Sequence, residues 1–257
     1  MKKSIVAANW KMYKNIDDSL EFLEKLNSKE LDYGNLRIII CAPFTSLFSM
    51  NKFIDSSNSN VELGAQNVYY EDEGAFTGEI SAQMLKQNDI HHVVVGHSER
   101  RTLFNEDNSI VVKKAKKVLD ENLNLIFCIG ETLDEREGGK TENILEEQLN
   151  FLLSKINKDQ LSKIIFAYEP VWAIGTGLSA SVEQVKNAHI LVRKIISDYF
   201  NVSPNDLNLL YGGSVKSSSA NELSSIDEVS GFLIGGASLD VDHFCEISKI
   251  ITEVKHV

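Results

Sequence analysis

The stretch from Ala167 to Gly177 contains the residues best placed to do chemistry. The apolar run Ile164-Ile165-Phe166-Ala167 leads to one carboxylate, Glu169, and Pro170 follows at once. Proline ends a strand ladder and fixes the backbone direction. Beyond it lies an apolar loop closed by glycines, then Ser179 and a helical pattern. A lone acid at the end of a buried strand, beside an apolar cover, suits a general base working away from water. Taken alone, the stretch also fits a strand-to-helix loop with a solvated glutamate.

Other strand ends carry further candidates. Asn9-Trp10-Lys11 puts an ammonium just past the first apolar run; a surface lysine is the plain alternative. In Gly96-His97-Ser98-Glu99-Arg100-Arg101, His97 could donate a hydrogen bond to a substrate oxygen, and Glu99 could hold Lys11 or a neighbouring loop. The alternative is a capped helix start with surface ion pairs. Cys128, in the stretch Cys128 to Thr132 that ends the fifth run, has no neighbour suggesting a nucleophile, so a buried thiol behind the site is expected. Gly212-Gly213-Ser214 and Gly235-Gly236 each follow an apolar run. Such turns let backbone N–H groups approach an anion, and a phosphate held after strands seven and eight is a recurrent barrel feature.

These residues need a scaffold that brings distant strand ends together. Apolar or β-branched runs recur at Ser4 to Asn9, Leu36 to Cys41, Val61 to Ala65, His92 to Val95, Leu125 to Ile129, Ile164 to Tyr168, Asn208 to Tyr211 and Gly231 to Ile234. Most intervals hold a helical pattern. After Ser179, Val185, Ala188, His189, Val192, Ile195, Ile196 and Tyr199 share one face, with Lys186, Arg193, Lys194 and Asp198 opposite. A second helix is expected from Glu106 through Leu119, with Lys113, Lys114, Lys116 and Lys117 outside as a solvated face. His189 reads as packing. Repeated strand-helix alternation, with polar residues after many strands and no Gly-x-Gly-x-x-Gly after the first, favours an α/β (β/α)8 TIM barrel over an open sheet. Eight parallel strands would sit inside an outer ring of helices.

Composition narrows the classes. The 257 residues, 43% hydrophobic, show no repeat and no linker-like seam, so one domain over residues 1–257 is expected. The net charge of −11 argues against nucleic acid or an anionic membrane as partner. It also means that any anionic substrate is held by a local site against the global field. The cysteines Cys41, Cys128 and Cys245 form no metal or redox spacing, which points to reduced thiols in a cytosol. Lys11 interrupts the first apolar run too early for a signal peptide, and no run approaches a membrane span. Asn201-Val202-Ser203 fits a glycosylation acceptor only by chance in that setting.

Across essentially its whole length the sequence resembles the triosephosphate isomerase family. The resemblance is carried by Asn9-Trp10-Lys11-Met12, Gly64-Ala65-Gln66-Asn67, Gly74 to Glu79, Gly96 to Arg101, Cys128 to Thr132, Tyr168 to Gly177, Tyr211 to Val215 and Gly235 to Leu239, in that order. It implies a cytoplasmic enzyme of glycolysis and gluconeogenesis that interconverts dihydroxyacetone phosphate and glyceraldehyde 3-phosphate through an enediolate. Glu169 matches the catalytic base, His97 a neutral imidazole electrophile, and Lys11, beside Asn9, the cation that offsets substrate charge. Gly175, Ser214, Gly235 and Gly236 match positions whose backbone N–H groups hold the phosphate. Val171 to Gly177 match a loop that closes over the site, and Ile174 with Leu233 an apolar clamp that raises the base's affinity for its proton. The resemblance implies no metal and no organic cofactor. The segment Gln66 to Glu79 matches a loop inserted into a second subunit, with Thr77 near the partner's site, so a homodimer is expected.

Departures from the family's usual residues are Ala8, Tyr13, Asn105, Leu178 and Asp240, none of them at a matched catalytic position. Two other readings stay open from the residues. Another phosphate-binding barrel would share the glycine turns without pairing His97 and Glu169. A non-catalytic binding or scaffold relative would typically have lost Lys11, His97 or Glu169.

Overall fold

Strands covered on both faces carry apolar side chains at nearly every position, and that pattern dominates the sheet of this chain. The computed structural model describes residues 2–174 and 179–256. Its strands are β1 (Ser4–Asn9), β2 (Leu36–Ala42), β3 (Glu62–Ala65), β4 (His92–Val95), β5 (Asn124–Ile129), β6 (Ile164–Tyr168), β7 (Asn208–Tyr211) and β8 (Gly231–Ile234). Each pairs in parallel with its sequence neighbour, and β8 returns to β1, with Ile5 opposite Gly231 and Ala8 opposite Ile234. The sheet is a closed barrel, with helices in the crossovers. No helix among the described residues is long and apolar enough to cross a membrane.

Alternation sorts the side chains into two layers. Ile5, Ala7, Ile39, Cys41, Val94, Ile126, Cys128, Ile165, Ala167, Leu210 and Leu233 form the core inside the barrel. Val6, Ala8, Ile38, Ile40 and their counterparts pack outward against the helices. The same period of two aims residues beyond each strand's carboxyl end. After Ile5 and Ala7 the next inward position is Asn9; after Ile165 and Ala167 it is Glu169; after Leu233 it is Gly235. At the opposite end, Arg37 precedes Ile39 by two and His92 precedes Val94 by two. There Arg37 Nη2 donates to Glu62 Oε2 at 2.7 Å, and His92 Nε2 lies 2.7 Å from the same oxygen. An ionic cluster therefore forms the floor of the barrel.

The helix expected after Ser179 runs Val182–Phe200, capped by Ser181, whose hydroxyl accepts the Gln184 N–H. Val185, Ala188, His189, Val192 and Ile196 are buried as expected, and His189 packs edge-on to Tyr168. Two positions differ. Arg193, expected outside, is buried because its guanidinium donates to the carbonyls of Glu228, Pro204 and Leu207 in the loops before β7 and β8. Tyr199, expected on the apolar face, is half exposed against Phe200 in the last turn. The second helix runs Asn108–Asp120, capped by Asp107. Within it Lys114 is buried, contrary to expectation, because Glu106 and Asn67 receive its ammonium at 2.6 and 2.8 Å.

Candidate active site

Glu169 follows β6 and is only 2% exposed. Its Oε1 lies 3.0 Å from His97 Nε2, and its Oε2 accepts the Ser98 backbone N–H at 3.1 Å. Two glycines make room for it. A Cβ on Gly212 would come within 2.9 Å of Glu169 Cγ, and one on Gly130 within 1.7 Å of the Glu169 carbonyl oxygen. The backbone around the acid is therefore tolerated only without side chains. Behind it the buried Cys128 thiol hydrogen-bonds Glu169; burial first, then the carboxylate's charge, push that thiol well above its ordinary pKa. Cys128 stays protonated, as a small buried hydrogen-bond donor.

His97 caps the helix Ser98–Leu103, and its Nδ1 accepts the Glu99 N–H at 3.2 Å. In the neutral ring the proton then sits on Nε2, the nitrogen facing Glu169. Burial works against the imidazolium, but the Glu169 carboxylate more than offsets this and raises the His97 pKa above its ordinary value. Burial and the Lys11 ammonium favour the neutral ring, while Glu99, 3.6 Å from Nδ1, adds to the pull of Glu169 toward the charged one.

Lys11 has a left-handed backbone, φ 53°. Three contacts hold it: its N–H donates to Asn9 Oδ1 at 3.0 Å, its carbonyl accepts from Gln66 Nε2 at 2.8 Å, and its ammonium lies 2.6 Å from Glu99 Oε1. A strained conformation over-determined in this way is common where a side chain must be aimed.

Asn9, Lys11, His97, Glu169, Ile174, Ser214, Leu233, Gly235 and Gly236 line one cavity of about 320 Å³. Lys11 reaches toward Gly235, where a Cβ would meet its Cε at 3.4 Å. The turn after β8 is braced by Ser238, whose hydroxyl donates to the Ile234 and Gly235 carbonyls and whose own carbonyl accepts from Trp10 Nε1. Gly175, Thr176, Gly177 and Leu178, read as part of a closing loop, lie outside the described residues. Thr77 is exposed, on a loop where Phe76 packs on Tyr69 and Tyr69 on Tyr70.

Three contributors escaped the sequence reading. The Ser98 N–H acts through backbone, which residue type does not reveal. Gln66 sits in a motif noted only for resemblance, yet it ties Lys11 to Cys41 through both carbonyls. Glu131 is fully buried and accepts from Tyr168 Oη, Trp172 Nε1 and Arg136 Nη1 at 3.0, 3.1 and 2.9 Å, while its carbonyl accepts the Val171 N–H. It anchors the start of the segment that follows Glu169. A charged residue within an otherwise apolar strand end, Cys128-Ile129-Gly130-Glu131, was the available signal.

The family model described as triosephosphate isomerase matches residues 4–251. The triosephosphate isomerase of Dictyoglomus turgidum is 43% identical over 250 residues, covering 97% of this chain and all of that protein. That of Fusobacterium nucleatum is 43% identical, covering 97% and 99%, and that of Chloroherpeton thalassium 42%, covering 97% and 99%.

Proposed function

The chain belongs to the triosephosphate isomerase family and interconverts dihydroxyacetone phosphate and D-glyceraldehyde 3-phosphate, a step of glycolysis, and we propose that Glu169, His97 and Lys11 carry the reaction. Glu169 removes a proton from the carbon beside the carbonyl and returns it to the adjacent carbon. The His97 Nε2–H donates to the substrate oxygens as negative charge develops on them. Lys11 offsets that charge together with the phosphate's. Ser214, Gly235 and Gly236, with Gly175, hold the phosphate through backbone N–H groups, and Asn9 keeps Lys11 in place.

The observation that supports this reading best is the Glu169 carboxylate, buried at 2% exposure yet facing His97 at 3.0 Å on the same cavity as Lys11. Ile174 and Leu233 line the same cavity, where their apolar side chains help keep water from the base. Cys128 and Glu99 act through Glu169 and Lys11 respectively, as positioning residues. The non-catalytic alternative has no support: all three residues whose loss would mark it are present and share the cavity.

The same reading extends to assembly. Large exposed apolar side chains gather after the first four strands: Met12 and Tyr13, Phe44 and Phe48, Phe76, and Leu103 with Phe104. A soluble monomer rarely leaves so many uncovered in one region of the chain, and a second copy covering them gives an isologous homodimer. Residues 1–257 act as one domain, and the enzyme works in the cytoplasm.

The test is isomerisation of glyceraldehyde 3-phosphate by purified protein, read by a coupled dehydrogenase acting on dihydroxyacetone phosphate, with Glu169→Gln as control. Turnover that the substitution abolishes supports the assignment. Turnover that survives it removes Glu169 as base.

A further inference from the structure

Arg193 is 7% exposed, and every acceptor its guanidinium reaches is neutral: the carbonyls of Glu228, Pro204 and Leu207 and the Ser230 hydroxyl. Buried charges are normally paired. Among the described residues, however, none of Arg193, Lys2, Lys3 and Lys255 forms an ion pair, although the chain holds 37 acids against 26 bases. These four cations converge with His256 on one pocket of about 370 Å³, with Asp227 as its only acid.

The pocket lies at the amino ends of the strands, opposite the catalytic cavity. Ser4 opens β1, Ser230 directly precedes β8, and Asn205 precedes β7; all three line it. The cations repel one another across it. Burial, with Arg193 as an adverse neighbour, lowers the pKa of both Lys2 and Lys255, despite attraction from Asp206 on the first and from Asp227 and Glu228 on the second. Lys255 Nζ donates to the Ile226 carbonyl and Lys3 Nζ to the Tyr33 carbonyl, neutral acceptors again. His256 Nε2 contacts Ser4 Oγ, while its buried Nδ1 has no partner among the described residues. Four cations against one lining acid, around space large enough for a small molecule, leave an excess of positive charge that an anion would balance.

We propose that this pocket binds a compact phosphate anion carrying two or more charges, held by Lys2, Lys3 and Lys255 over the buried Arg193. A dianion would relieve the mutual repulsion of the cations through charge-assisted hydrogen bonds. It would also tie the amino-terminal strand, the helix Val182–Phe200 and the carboxyl-terminal helix Val241–His256 together. Binding to the folded state alone would then stabilise the fold by mass action. The site is independent of the catalytic cavity and of the residue roles assigned there.

Calorimetric titration of the intact protein with inorganic pyrophosphate tests the proposal, with turnover measured in parallel. The variants are Lys2→Gln/Lys255→Gln and the charge-keeping Lys2→Arg/Lys255→Arg. The expected result is one more equivalent of pyrophosphate per chain in the native protein than in the Gln variant, or at least tenfold weaker binding at that equivalent. The Arg variant should retain it, and kcat and KM should be unchanged in all three. Equal uptake by the native and Gln proteins overturns the proposal, as does equal loss in the Gln and Arg variants, which would mean that charge is not what the pocket recognises.

Discussion

Glu169 Oε1 and His97 Nε2 stand 3.0 Å apart inside the barrel mouth, two residues 72 positions apart in sequence held by backbone rather than by chance contact. The Glu99 N–H aimed at His97 Nδ1 and the Ser98 N–H aimed at Glu169 Oε2 come from the same helix start. One turn of backbone thus orients the acid and the imidazole together. The buried carboxylate rests on contacts from two adjacent residues, the His97 ring and the Ser98 backbone N–H.

Shortening the acid tests how far position matters. Glu169→Asp retracts the carboxylate by about one methylene while keeping its charge. Misplacement of a catalytic group by about 1 Å costs on the order of 10²-fold in rate, so kcat should fall by roughly that factor with KM little changed. Steady-state kinetics read both values. Near-native kcat would show that the reach of Glu169 is not limiting.

The floor of the barrel sets an acid limb of stability. Burial opposes the charge on Glu62, but hydrogen bonds and attraction from Arg37 and His92 hold its pKa down to about 2. A depressed carboxylate stabilises the fold above its unfolded pKa and loses that contribution as pH falls through the folded value. The Glu62 contribution is therefore complete above about pH 4.5 and lost between there and about pH 2. The His92 pKa, lowered chiefly by burial and partly restored by Glu62, acts in the same direction. The fold favours the neutral ring more than the unfolded chain does, so stability declines as pH falls through the ordinary histidine range near 6.5. The urea midpoint of the native protein should drop more steeply below pH 4.5 than that of Glu62→Gln. Parallel curves would show that Glu62 does not carry the acid limb.

Lys114 is the buried cation that the helical pattern had placed outside. Burial lowers its pKa, and Glu106, itself buried, partly restores it. Replacing Lys114 with Met keeps the stem's packing but leaves Asn67 without a donor and Glu106 with Arg100 alone. Breaking a buried pair from one side costs about 3 kcal/mol, and the remaining arginine makes about 2 kcal/mol the expected loss. Chemical denaturation measures it. A cost below about 0.5 kcal/mol, typical of a surface pair, would contradict the burial.

Thr77 is exposed on the loop proposed to make the dimer contact. Thr77→Arg should place an unpaired charge in that contact and shift the protein toward monomer in sedimentation velocity, with turnover falling alongside. A dimer of unchanged strength would move the interface elsewhere.

The strands were legible because parallel barrel strands are buried on both faces and read as unbroken apolar runs. The bounds at Ser4–Asn9, His92–Val95, Ile164–Tyr168, Asn208–Tyr211 and Gly231–Ile234 coincide with those read from the chain, and the others differ by one residue at an end. Asn105, standing where the family often has glycine, adopts φ 54°, a left-handed conformation asparagine tolerates. Helical faces were less reliable. A wheel assigns charge to solvent, but Lys114 turns inward to Glu106 and Asn67, and Arg193 to the carbonyls before β7 and β8, acceptors that lie off the helix itself.

Sequence alone determined the residue types at the strand ends and, through the period of two, that Asn9, Glu169 and Gly235 point the same way. Local pattern suffices there, since the pleat dictates facing and burial dictates apolarity. Tertiary structure decided which of these groups meet. Closure of β8 on β1 sets the Gly235 turn beside Lys11, and the barrel's curvature brings Glu99 within 2.6 Å of an ammonium 88 residues away. It also decided that four cations spread from Lys2 to Lys255 share one pocket at the far end of the barrel. Such encounters depend on the paths of separate crossovers through space, which no local periodicity encodes.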